Sequence, residues 1–251
     1  MADYKKNFLS SVVVRIDFDK IDLSKINSYL KKIQGVFAKY EQQSSYESEL
    51  TIDVEEGMPI SKQVNNQLQS WMLLNDEETK RAQISQKWLW IDYRKYKNSK
   101  ELLADVEKVI DAFIDHFGIE SVNRVGMLYS NVVKTESNQK PTHWEDYINP
   151  KLLAGIHFAD ENAFSISRNM GQIVKHAATN DLRFDYGIWN RDFPNQVARK
   201  EFILQYDCYT NLAMDARDLK MSELIEDFND QIESLFEASI TDKLREIMRK
   251  G

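Results

Sequence analysis

Two periodicities alternate along this chain, and that alternation limits its fold more than any other feature. Stretches with an apolar residue at every second position read as half-buried strands, and stretches with one at every third or fourth read as amphipathic helices. Val12, Val14, Ile16 and Phe18 share one face of a strand, with Val13, Arg15 and Asp17 on the other. Ile26, Leu30, Ile33 and Phe37 then form a helical stripe behind Ser24 as N-cap. Residues 46–55 alternate again, with Tyr46, Ser48, Leu50, Ile52 and Val54 inward, until Gly57 and Pro59 end the strand. Residues 62–74 fit a short helix or a strand, with Trp71 and Leu74 as the buried positions.

A strand over 87–96 leads into a helix over 99–117. Ser99 is the expected cap, Gly118 the C-terminal stop, and Leu103, Val106, Ile110, Phe113 and Phe117 the stripe. A strand over 122–133, a helical piece near 144–153 and strands at 155–159, 163–168, 171–177, 182–189 and 200–209 follow. The last pair should lie adjacent and antiparallel, joined by the loop 190–198. A helix from Ser222 carrying Leu224, Phe228, Ile232, Leu235 and Phe236 and a short helix over 241–249 end the pattern. The expected fold is α+β: a mostly antiparallel sheet covered by long amphipathic helices at 24–40, 99–117 and 221–237. The strand–helix units 87–117 and 200–237 resemble each other. They read either as two similar α+β halves, 1–133 and 144–251 with 134–143 as linker, or as one continuous domain.

Composition narrows the class. With 42% hydrophobic and 11% aromatic residues, 251 residues can bury a sizeable core, and disorder is disfavoured. Net charge is −7, and residues 1–132 hold 18 basic and 20 acidic side chains against 15 and 20 in the rest. Neither half is basic, so direct nucleic-acid binding is disfavoured. No apolar run approaches the roughly 18 residues of a membrane helix, and the N-terminal run is interrupted too early for a signal peptide. The single cysteine, Cys208, fits a reducing cytoplasm.

Signatures of chemistry are sparse. No phosphate loop, dinucleotide fingerprint or nucleophile elbow occurs, and His116, His143, His157 and His176 form no metal-ligand spacing. Cys208 sits among apolar strand neighbours, where a thiol is inert. Asp17, Asp92, Asp185 and Asp207 each interrupt an apolar strand. They either pair with Arg15, Arg94 or Arg183 or converge on a divalent metal. Glu47, Glu49, Asp53 and Glu55 make an outward acidic row, broken by Thr51, along outward positions about 6.8 Å apart. Such a row imitates a phosphate backbone, or else keeps an edge strand from aggregating.

Arg124, Gly126, Tyr129 and Asn131 form an R-x-G-x-x-Y-x-N strand motif. Gly126 suits a bulge or a close backbone approach, and Tyr129 and Asn131 share a face that Arg124 does not unless a bulge shifts the register. Together with VVVRIDF near the start and FNDQIESLFEASITDKLREIM near the end, the motif resembles a sporadically distributed prokaryotic family of uncharacterised proteins of about this length. The resemblance implies an association with mobile-element cargo, and no activity. The functional expectation is a non-catalytic binding or regulatory protein acting by protein–protein contact in phage–host conflict. Its sharpest form is an inhibitor or defence component, an anti-CRISPR candidate among them, whose acidic row meets a nucleic-acid-handling partner. No catalytic residue, metal or cofactor is expected. The alternatives are a metal-dependent enzyme acting on nucleic acid or a nucleotide, and a small-ligand sensor.

Overall fold

The computed structural model of the chain describes residues 4–55, 58–134 and 140–251, with the backbone alone described over 45–68. Ten strands form one antiparallel sheet: β1 (Leu9–Phe18), β2 (Lys39–Glu55), β3 (Met58–Leu74), β4 (Lys80–Ser85), β5 (Trp88–Tyr93), β6 (Ser121–Lys134), β7 (Asn169–His176), β8 (Asn180–Ile188), β9 (Glu201–Thr210) and β10 (Met214–Asp215). The order across the sheet is β2-β3-β4-β5-β1-β6-β9-β8-β7, with β10 beside the end of β6. The fold is thus mixed α+β with a large antiparallel sheet. β1 and β6 are its centre, and the sheet passes from β6 directly to β9.

Period-two alternation decides which face is buried. Val12, Val14, Ile16, Leu89, Ile91, Val125, Met127, Tyr129, Phe202, Leu204 and Tyr206 all point to one side and are buried there. The helices cover that side: α1 (Ile26–Lys32), α2 (Ser99–Val106), α3 (Ala112–Phe117), α4 (Ala154–Glu161), α5 (Met221–Ser239) and α6 (Asp242–Lys250). Helix α5 packs on β6 and β9 and touches α2. Among the described residues no helix is long and apolar enough to cross a membrane.

Several elements differ from the sequence expectation. The helix 24–40 is only a 3-10 turn, Leu23–Lys25, followed by the seven residues of α1. Ile33 and Phe37 are still buried, carried on a turn through Gly35 before β2 takes the chain at Lys39. Glycine disfavours helix, and pairing of Lys39 with Leu74 outcompetes another helical turn. The caps fall on Asp22 and Asn98 rather than Ser24 and Ser99. Between α2 and α3 a π-helical stretch, Glu107–Asp111, inserts an extra residue and rotates the stripe. Leu102 and Val109 are therefore fully buried and Leu103 only partly. Residues 155–159 are helical in α4, with Ile156 and Ala159 as its buried face, and 163–168 form no strand. Residues 62–74 are strand, in which Trp71 and Leu73 are buried rather than Leu74. β8 and β9 are adjacent and antiparallel, as the sequence predicts.

β2 and β3 pair along their whole length, whereas β4 joins β3 only over Ser70–Leu74. Among the described residues the β2–β3 ribbon thus runs on for about 40 Å with no third strand, at about 3.4 Å per residue.

Candidate functional site

β6 serves two concave surfaces, and strand parity divides the R-x-G-x-x-Y-x-N motif between them. The β1–β6 ladder shifts twice, between the Asp17–Arg124 and Phe18–Val122 pairs and between the Ser11–Ser130 and Leu9–Asn131 pairs, where Ser10 of β1 is the extra residue; neither shift falls at Gly126. From Arg124 to Asn131 β6 itself alternates without a bulge, and it pairs evenly with β9 from Gly126 to Lys134. Arg124 and Gly126 face the uncovered side of the sheet, and Tyr129 and Asn131 face the helices.

On the helical side, Tyr129 and Asn131 line a pocket of about 430 Å³. Its walls come from the N-terminal segment (Tyr4, Asn7, Leu9), the turn into α2 (Tyr96 to Ser99), helix α5 (Ile232, Glu233, Phe236, Glu237) and Met248 of α6. The Tyr129 hydroxyl donates to Asn229 Oδ1 at 2.6 Å and lies 3.1 Å from the Tyr96 hydroxyl. Asn229 Nδ2 in turn donates to Glu233 Oε1 at 2.7 Å. The Tyr96 and Tyr129 rings meet edge to face at 5.7 Å. At the other end, the Tyr4 hydroxyl donates to Glu237 Oε1 at 2.7 Å, and Arg245 Nε holds the second carboxylate oxygen at 2.8 Å. Burial raises the pKa of Tyr129 and Tyr96, with the Glu233 charge acting in the same direction. The Tyr4 hydroxyl is pushed up to about 12, first by burial and then by Glu237. These tyrosines stay neutral donors at physiological pH, and no group in the network is placed as a nucleophile with its base.

The uncovered side carries an ion-pair ladder. Asp17 accepts from Arg15 at 2.6 Å and faces Arg124 at 3.9 Å. Arg124 and Arg183 each stand 3.3 Å from Asp207, and Arg183 also stands 3.2 Å from Asp185. Asp92, almost fully buried, accepts from Arg81 at 2.7 Å and from the Ser11 hydroxyl at 2.5 Å. Arg124 stacks over the Tyr209 ring at 4.4 Å, and Arg81 and Arg15 lie over Trp90 and Trp88. Burial pushes the Asp207 carboxyl above its usual range despite both guanidiniums. All four strand aspartates are thus ion-paired, with Arg81 where the sequence suggested Arg94. Among the described residues no group of three His, Cys, Asp or Glu side chains is placed to hold a metal ion. Cys208 is fully buried, and burial pushes its thiol up to about 12.

The acidic row Glu47, Glu49, Asp53 and Glu55 lies on β2, but its side chains fall outside the described residues. Sequence reasoning paired Tyr129 with Asn131 and missed Tyr4, Tyr96, Asn229, Glu233 and Glu237. A signal was present: Asn229, Glu233 and Glu237 recur every fourth residue beside the apolar stripe of α5. A comparison of the chain with protein-family models and with curated proteins found no match.

Proposed function

We propose that this is a non-catalytic binding protein, a small-ligand sensor whose site is the pocket beneath α5. The observation that carries this reading is a mostly apolar concavity of about 430 Å³ on which a few polar groups converge. That combination is the common form of a ligand site. Glu233 and the Tyr96 and Tyr129 rings favour a small molecule bearing an amine or other cationic end, because ring faces and a carboxylate both attract positive charge. The test is a thermal-shift panel of small amines, zwitterions, carboxylates and nucleosides. Amine-bearing members should raise the melting temperature of the wild type and leave Asn7→Trp, which plugs the mouth from an exposed position, unmoved. A shift of equal size in both proteins sinks the reading.

A second reading, contact with a protein partner in phage–host conflict, is supported by the β2–β3 ribbon. An extended two-stranded ribbon bearing an acidic row suits a nucleic-acid-handling partner, and its setting follows from the family resemblance of the R-x-G-x-x-Y-x-N motif. Charge reversal at Glu47, Glu49, Asp53 and Glu55 should then abolish capture of that partner while leaving the thermal-shift response intact.

A further inference from the structure

We infer that the chain forms a two-fold dimer by pairing β7 with β7 of a second copy, joining the two sheets edge to edge. β7 is the terminal strand of the sheet, bonded to β8 on one side and, among the described residues, to no strand on the other. It is exposed along nearly its whole length, and Met170, Ile173 and Val174 are open to solvent on both faces. Large exposed apolar side chains continue beside it in Phe158, Phe164, Trp189 and Phe193, the last two stacked on Arg168 at 4.1 and 4.2 Å. Edge strands of monomeric proteins are usually short, charged or covered; this one is eight residues long and open, and its one lysine, Lys175, stands beside the exposed Met170, Ile173 and Val174.

The occupant follows from the backbone. Ala177 N–H donates to Asn180 across the hairpin turn at 3.0 Å, so Ala177 holds a hydrogen-bonded position of the β7–β8 ladder. Counting back in alternation, Lys175, Ile173, Gly171 and Asn169 turn their peptide groups to β8. His176, Val174, Gln172 and Met170 turn theirs outward, where only another extended chain can pair with the whole row.

The sequence of β7 fits itself in one register. A two-fold axis through Ile173 pairs Met170 with His176 of the second copy and Gln172 with its Val174. All four outward residues are then used, making about eight inter-chain hydrogen bonds. Ile173 meets its own copy at the central non-bonded position, where side chains approach most closely. Lys175 falls opposite Gly171, so no like charges face each other, and Gly171 lies under the Tyr186 ring, which the incoming Lys175 can contact. An axis through Gln172 leaves His176 unpaired and gives about six bonds.

Light scattering with size exclusion, combined with single-cysteine cross-linking, tests this. The wild type should be a dimer. Val174→Pro removes an outward N–H that no intrachain bond uses, so the fold should survive while dimerisation weakens about tenfold or more. Ile173→Cys should give a disulfide-linked dimer, whereas Lys175→Cys should not, because two such residues stand about 13 Å apart in this register. Cys208 is buried and does not compete. A wild type that is monomeric up to about 100 μM, open-ended polymers, or a dimer indifferent to Val174→Pro and not trapped by Ile173→Cys overturns the inference.

Discussion

Replacing Tyr129 with phenylalanine removes one oxygen and no packing volume, so its effect isolates the hydrogen bonds of the pocket floor. Tyr129 is 2% exposed and Asn229 is 8% exposed, so water cannot readily replace the lost donor. The 2.6 Å bond from Tyr129 to Asn229 Oδ1 disappears, leaving a buried amide oxygen unpaired. Leaving such a group unsatisfied costs about 1–3 kcal/mol. The Tyr96 hydroxyl, only partly buried, loses a neighbour but can turn to the pocket, so its share is about 0.5 kcal/mol or less. The expected total is about 2 kcal/mol, a fall in Tm of about 4–8 °C for a chain of this size. Urea unfolding of Tyr129→Phe, Asn229→Ala and the double variant gives the direct measurement. The coupling between the two sites should be about 1 kcal/mol. A Tyr129→Phe change of less than about 0.5 kcal/mol, with no coupling, would refute the network as described.

Asp111 lies in the π-helical stretch, and its carboxyl is pushed up to about 6, first by burial and then by Glu107 and Asp115. A carboxyl with a raised folded pKa binds its proton more tightly in the folded state, so stability falls as pH rises from about 4 to 6. Asp111→Asn should therefore raise Tm at pH 7, with the gain shrinking toward pH 4; a gain independent of pH contradicts this. Gly187 has φ +133°, and a Cβ there would sit 2.1 Å from the Asn169 carbonyl oxygen. Gly187→Ala should cost about 2 kcal/mol or more, read by chemical denaturation, whereas Gly126→Ala, meeting only ordinary contacts beyond 3.4 Å, should stay within about 1 kcal/mol. The Cys208 thiol should react with a thiol reagent only after denaturant is added, and prompt reaction of the native protein would contradict its burial.

How much of this was legible in the sequence depends on range. Alternation in VVVRIDF and EFILQYDCYT fixes which side chains enter the core, because the period of a strand is the same in any sheet. The stripe of residues 99–117 was legible only approximately, since one π turn replaced Leu103 by Leu102, and periodicity assumes constant helix geometry. Residues 155–159 read as strand because five residues of Gly-Ile-His-Phe-Ala carry too short a pattern to separate periods of two and 3.6. Parity correctly set Arg124 apart from Tyr129 and Asn131, since no bulge arose at Gly126. The pocket itself was not legible. Tyr4, Tyr96, Tyr129 and Glu237 are brought together by non-sequential pairing of β1 with β5 and β6 and by the return of α5, and neither leaves a local trace.

Ligand binding in the pocket beneath α5 is open to a direct test. Wild-type protein and Asn7→Trp, each incubated in cleared lysate, repurified and denatured, should release different small molecules to mass spectrometry. An amine-bearing compound should be enriched on the wild type and absent from Asn7→Trp; identical small-molecule profiles from the two proteins would contradict a ligand site beneath α5.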